Sequence, residues 1–280
     1  MPRPIQFATA GQLRAEINAR NRERAERGGL AHVVSYGKGQ VVLYEENGES
    51  HGNFLPASYR AILGNPAWKK RLRKVHTSAR TCVPYSAANS RRELDSCCSS
   101  DALLMNIFCY PRMLSRASLL ALLGIEAGQK PEFGFHPRVP LTRGHVERTE
   151  IDMRLGDLLV EAKLTESGFQ RCPKERAHGY RDFGDVFDAD LLPQSAQQYF
   201  CYQLIRGTLA AHALRLRYCL LCDERRSDLR EMFWRVLHAI RPLELRQRCQ
   251  LLTWQELAAA LPATLRRWLR PKYGIESAND

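Results

Sequence analysis

Long apolar runs are missing from this 280-residue sequence. No stretch approaches the roughly 18 apolar residues that a membrane-spanning helix needs, which excludes a helical membrane protein. The opening MPRPIQFATAGQLRAEINAR has no apolar signal-peptide core, so a cytoplasmic protein is the expectation. Internal repeats and low-complexity tracts are absent too, which excludes repeat architectures. The nine cysteines are odd in number and scattered, a poor basis for a disulfide framework. Cys219 and Cys222 have the spacing of a metal knuckle, but no second CxxC accompanies them. They lie in an apolar stretch, 218–222, that reads as a strand, where residues three apart point to opposite faces. Core thiols are the better reading. Acidic residues are scarce only at one end: residues 1–92 hold 6 Asp and Glu against 16 Lys and Arg.

What is present is an ordinary soluble composition, 44% hydrophobic and 26% charged, with a net charge of +12. A basic first third beside a nearly balanced remainder points to a segment that meets a polyanion. Arginine that merely keeps the chain soluble is the alternative. Lys69, Lys70, Arg71, Arg73 and Lys74 concentrate the excess. On a helix they would surround a stripe of Trp68, Leu72 and Val75, either as phosphate contacts or as a solvated face.

Along the chain, Thr9 can cap a helix over 10–27 that Gly28-Gly29 ends. A strand follows at 40–44 after the Gly37-Lys-Gly39 turn, then a helical stretch near 56–63. Residues 78–92 read as a linker. From 92 to 110 the period is helical, with Leu94, Cys98, Ala102, Met105 and Phe108 on one face, and a second helix covers 113–123. Strand pieces at 132–138, 146–155 and 158–164 come next, and then a polar stretch over 165–193. A long helix over 194–214, a buried strand at 217–222, a helix at 229–240 and a last strand at 249–252 complete an α/β pattern with a mixed sheet. A capping box, Thr253-x-x-Glu256, opens the final helices.

The chemistry concentrates in 149–164. Gly156-Asp157 has the composition of a two-residue hairpin turn, which sets Leu155 against Leu158 and hence Asp152 against Glu161 and Glu150 against Lys163. One face then carries Glu150, Asp152, Glu161 and Lys163. The other carries Ile151, Met153, Leu155, Leu158, Val160, Ala162 and Leu164. Facing carboxylates repel unless a cation lies between them, and a hard ion such as Mg²⁺, or Mn²⁺, suits two oxygen ligands. Such an ion activates water and polarises a phosphodiester, while Lys163 orients the water or offsets charge on phosphate. The competing account is an ion-pair ladder on the solvent face, Glu150 to Lys163 with Arg154. Asp157 is a turn former.

An Asp, a hairpin turn and then Glu-x-Lys resemble the catalytic signature of the PD-(D/E)XK nuclease superfamily. Glu150-Ile-Asp152 stands where the name-giving Pro-Asp would be. The chain is also similar, more loosely, to a group of bacterial restriction endonucleases, through Ser99-Ser-Asp-Ala-Leu-Leu-Met-Asn106 and Tyr202-Gln-Leu-Ile-Arg206. The resemblance implies a restriction-endonuclease-like αβββαβ core over about 93–222. Asp152 and Glu161 would be the metal ligands, Lys163 the water-orienting base and Gln203 an accessory catalytic residue. A Q-x-x-x-Y spacing, Gln198 to Tyr202, resembles the RecB-like branch and would put both on one helical face. Glu93 or Asp101 would supply a further carboxylate. His51, His76, His136 and His178 read as surface or packing residues.

The expectation is therefore a basic N-terminal α+β region, 1–92, that grips DNA, and a nuclease domain, 93–280, that cuts it with Mg²⁺ and leaves 5′-phosphate and 3′-hydroxyl ends. RNA stays open as a substrate, and cutting both strands with one site would call for a homodimer. The rival is a nucleic-acid-binding protein on a nuclease-like scaffold that has lost catalysis. A glycosidase using the same carboxylate pair lacks the aromatic platform it would need.

Overall fold

The computed structural model describes residues 7–35, 40–75 and 92–277, so the turn at 37–39, His76 and most of the 78–92 linker lie outside the described residues. The chain forms two compact units. Ala8–Gly128 and the stretch from Trp254 make the first, and Gln129–Thr253 makes the second.

In the first unit, helix α1 (Ala10–Gly28) begins with a reciprocal cap. Gln12 N–H donates to Thr9 Oγ1 at 3.2 Å, and Thr9 N–H donates to Gln12 Oε1 at 2.9 Å. Gly29, at φ 57°, takes the chain out. Every fourth residue of one α1 face is buried (Leu13, Ile17, Asn21, Ala25). Strands β1 (His32–Val34) and β2 (Val42–Tyr44) pair antiparallel, and helices α2 (Pro56–Leu63) and α3 (Pro66–Arg71) follow. Helix α4 (Ser100–Phe108) is shorter than the periodicity predicts, because residues 93–95 form a separate 3₁₀ turn. All nine α4 residues are buried, so the expected one-sided apolar face is replaced by burial all round. Ser99 Oγ caps α4 by accepting from Ala102 N–H at 3.1 Å. Asn106 Oδ1 accepts from Leu55 N–H at 2.7 Å, tying α4 to the start of α2. Helix α5 (Ala117–Leu123) ends at Gly124 in the left-handed region.

The C-terminal helix, Ala263–Tyr273, returns to α1. Fully buried Lys272 donates to Asn21 Oδ1 at 2.6 Å, and Asn21 Nδ2 donates to Lys272 O at 2.9 Å. Tyr44, Tyr273 and Trp268 ring the amine at 4.5–5.6 Å. Burial, reinforced by the Arg24 charge, drives this amine well below its ordinary value.

The second unit is built on a five-stranded mixed sheet. Strands β3 (Pro131–Phe135), β4 (Ile151–Leu155) and β5 (Leu158–Ala162) run antiparallel. Helix α6 (Tyr202–Leu214) crosses to β6 (Arg217–Cys222), which is parallel to β5. Helix α7 (Ser227–Ala239) then crosses to β7 (Cys249–Thr253), parallel to β6. The order across the sheet is β7-β6-β5-β4-β3. The expected helix over 194–214 is corrected at its start. Gln198–Tyr199 pairs as a short strand with Cys172–Pro173, and the helix begins only at Tyr202. Cys219 and Cys222 are buried free thiols, and burial pushes Cys222 up to about 12.

The Lys272 amine gives a pH signature. Its folded value lies below the ordinary 10.5, so the folded chain sheds a proton that the unfolded chain retains. Stability is lost as pH falls from about 10.5 toward the folded value and no further below it. Lys272→Met should gain Tm relative to the wild type as pH is lowered from 10 to 7. A difference in Tm independent of pH would contradict an amine depressed by burial.

Candidate active site

The β4–β5 hairpin has the predicted phase: Leu155 pairs with Leu158, Arg154 with Leu159 and Met153 with Val160. Gly156, at φ 60°, supplies the left-handed turn residue that a side chain resists. Arg217 clamps the neighbouring Asp157 with two 2.8 Å bonds and holds its carboxyl below the usual range. Beyond the Met153–Val160 pair, the Asp152 side chain takes over the cross-strand tie, Oδ2 accepting from Ala162 N–H at 2.7 Å.

The face bearing the acids is not a solvent face. Leu159 lies on it, fully buried, in one apolar cluster with Ile205 and Leu209 of α6 and Tyr218 and Leu220 of β6. Glu161 and Lys163 are 2% and 4% exposed, which overturns the surface ion-pair ladder. Lys163 Nζ donates to Glu161 Oε1 at 2.6 Å, and Lys163 N–H to Leu221 O at 2.8 Å across to β6. Burial alone would lower the Lys163 amine, but the carboxylates of Glu161, Asp152 and Glu166 outweigh it and hold the amine above its ordinary value. Lys163 is thus held as a cation and a hydrogen-bond donor. Glu166, which the sequence reading passed over, accepts from Leu164 N–H at 2.6 Å and closes the strand end.

Helix α6 supplies the cover. Arg206, 4% exposed, donates Nη2 to the Glu150 carbonyl at 3.0 Å and so fastens the start of β4. Half-buried Gln203 stands in the first turn of α6, its N–H bonded to Phe169 O at 2.9 Å. Tyr202 Oη lies 3.0 Å from Tyr180 Oη, with Arg176 stacked 4.7 Å from its ring centroid. Gln198 belongs to the short strand and precedes α6, so it shares no helical face with Tyr202. Tyr218 was also missed. Its buried phenol is pushed well above the ordinary value by desolvation and by the Glu161 carboxylate. Only the parallel pairing of β6 with β5 brings it there, and no local sequence signal announces that pairing.

The remaining candidates belong to the first unit. Asp101, 3% exposed, accepts from Arg71 Nη2 at 2.7 Å and Lys74 Nζ at 3.0 Å through Oδ2. Lys74 also pairs with Glu93 at 3.1 Å. Burial and the Asp101 charge raise the Glu93 carboxyl above its usual value. The basic run is thereby split: Arg71 and Lys74 are committed to internal ion pairs, while Lys69, Lys70 and Arg73 face outward. Leu72 is buried as expected, but Val75 is 50% exposed and Trp68 only half-buried. His51 is buried against Asp95 at 3.1 Å, a packing role. His178 bonds Tyr199 Oη at 2.9 Å, and His136 bonds Arg148 O at 2.7 Å.

Among the described residues, no three His, Cys, Asp or Glu side chains converge as a metal cluster. The hairpin offers two carboxylates, hard oxygen donors of which Glu161 is bonded only at Oε1 among the described residues. That set fits Mg²⁺, which is commonly held by one or two carboxylates and keeps several waters for substrate phosphate to replace.

A family model described as "Restriction Endonuclease associating with ARP" matches residues 21–274, and so spans both units. No curated protein and no solved structure matches the chain.

Removing one partner of the buried Lys163–Glu161 pair strands the other charge. Lys163→Ala should cost roughly 3–5 kcal/mol in urea unfolding, and Lys163→Met with Glu161→Gln should recover much of it. A single-variant loss below about 1 kcal/mol would show that the pair is solvated rather than buried.

Proposed function

The chain belongs to the family of restriction endonucleases associating with ARP, and from that membership we propose a metal-dependent DNA endonuclease whose site is the β4–β5 hairpin. The family's description supports reading it as a restriction-endonuclease-like nuclease that acts on DNA. The observation that carries the finer reading is the convergence of Asp152, Glu161 and Lys163 on one covered sheet face. Three antiparallel strands, the α6 crossover and a parallel fourth strand also follow the βββαβ part of the core that the resemblance implies.

Asp152 and Glu161 would hold the ion, Mg²⁺ or Mn²⁺. When bound, that ion supplies positive charge to the phosphodiester oxygens and acidifies a water. Asp152 is aimed by its bond to Ala162 N–H, and Glu161 by Lys163. Lys163, kept cationic by three carboxylates, orients the attacking water and offsets charge building on phosphate. Glu150 contributes through its carbonyl, which anchors Arg206. Half-buried Gln203, in the first turn of α6, stands as an accessory contact to DNA or water, while buried Tyr202 braces that turn through Tyr180 and Arg176. The outward cations Lys69, Lys70 and Arg73 are the proposed phosphate contacts, and Arg71 and Lys74 brace the α3 end.

Plasmid and linear DNA incubated with Mg²⁺, Mn²⁺ or EDTA test this reading. Cleavage should require a metal, and Asp152→Ala or Glu161→Gln should slow it by at least about a hundredfold while DNA binding persists. Cleavage in EDTA would remove the metal, and no cleavage in any metal would leave a DNA-binding scaffold.

A further inference from the structure

Two buried polar atoms near the Asp152–Glu161 pair have no hydrogen-bond partner among the described residues: Tyr218 Oη and Arg206 Nε. Their placement follows from register. Tyr218 pairs with Leu159 of β5 and Leu220 pairs with Glu161, so the phenol rises from the face that carries Glu161. Its tip lies under α6 at Gly207, where a Cβ would stand 2.7 Å from Oη and 2.3 Å from the ring. Glycine at 207 therefore lets the helix settle onto the phenol. The preceding residue, Arg206, reaches down to the Glu150 carbonyl at 3.0 Å, with its guanidinium 5.8 Å from the Tyr202 ring centroid. Both side chains are clamped between α6 and the sheet, beside the strands that bear Glu150, Asp152 and Glu161.

Orphaned donors of this kind are rare in folded proteins, and an ordered water commonly satisfies them. Here the acceptor at hand is the Glu161 carboxylate, bonded among the described residues only at Oε1. We propose that Tyr218 and Arg206 are positioning residues, holding one water between Tyr218 Oη, Arg206 Nε and Glu161 so that the carboxylate is aimed at the cation. The inference rests on the metal-dependent reading of the same hairpin and adds two residues to it. Outer donors that orient a ligating carboxylate commonly affect metal affinity or rate by 10- to 100-fold.

Tyr218→Phe removes a single oxygen and keeps the ring against Gly207. The full chain should be titrated with MnCl₂ alone by calorimetry, then assayed on plasmid DNA with melting followed in parallel. Tyr218→Phe should bind Mn²⁺ about tenfold more weakly and lower kcat about tenfold, with KM for plasmid and Tm held. Arg206→Lys, which keeps the charge and loses Nε, should reproduce the weakened Mn²⁺ binding. Wild-type Mn²⁺ affinity and kcat in both variants would overturn the proposal, as would losses that simply follow a fall in Tm. If the wild type itself neither binds Mn²⁺ nor cuts, the metal reading fails and this inference with it. A wild type that binds Mn²⁺ no better than Tyr218→Phe overturns the inference alone.

Discussion

A lysine and a glutamate buried together at 2.6 Å, Lys163 on Glu161, are the constraint on which the second unit depends. Taking two charges out of water is costly, and the cost is offset only when geometry and extra hydrogen bonds are good. The hairpin turn sets the register that puts both on one face, and Asp152 ties that face together through Ala162 N–H. Helix α6 covers it with Ile205, Leu209 and the Arg206 anchor. A surface ladder would need none of this cover. The proposed cation and phosphodiester site would gain from all of it, because charge acts more strongly in a low-dielectric setting.

The first unit shows the same economy with cations. A net charge of +12 suggests one extended polyanion-binding face, but Asp101 draws Arg71 and Lys74 inward and Glu93 shares Lys74. What faces outward from the run is Lys69, Lys70 and Arg73. The charge excess is thus partly a folding device. Ser99 and Asn106, which carry part of the family likeness, act here as a helix cap and as a clasp on Leu55.

Local geometry was legible in the sequence and long-range cover was not. Gly156-Asp157 announces the turn, and the two-residue period of a strand then sets every facing pair, so the convergence of Asp152, Glu161 and Lys163 follows by counting. Thr9 and Gln12 likewise announce the start of α1. The burial of the acid face depends on β6 pairing parallel to β5 and on α6 lying over both, contacts made across some 60 residues of chain. One local hint existed: Leu159 sits on the acid face, where a solvated ladder would have no use for a leucine. The helix over 194–214 was overextended because its helical composition competes with the pairing of Gln198–Tyr199 to Cys172–Pro173, which sequence neighbours do not reveal. Arg206 and Tyr218 matter through the same cover.

The central claim is that Asp152 and Glu161 hold the metal at which DNA is cut. Crystals soaked in Mn²⁺ and measured for anomalous scattering test it most directly. The account predicts a peak within coordination distance of one carboxylate oxygen from each of Asp152 and Glu161, lost in Asp152→Ala. A peak held by other residues, or an empty hairpin in crystals of protein that cuts DNA with Mn²⁺, would contradict it.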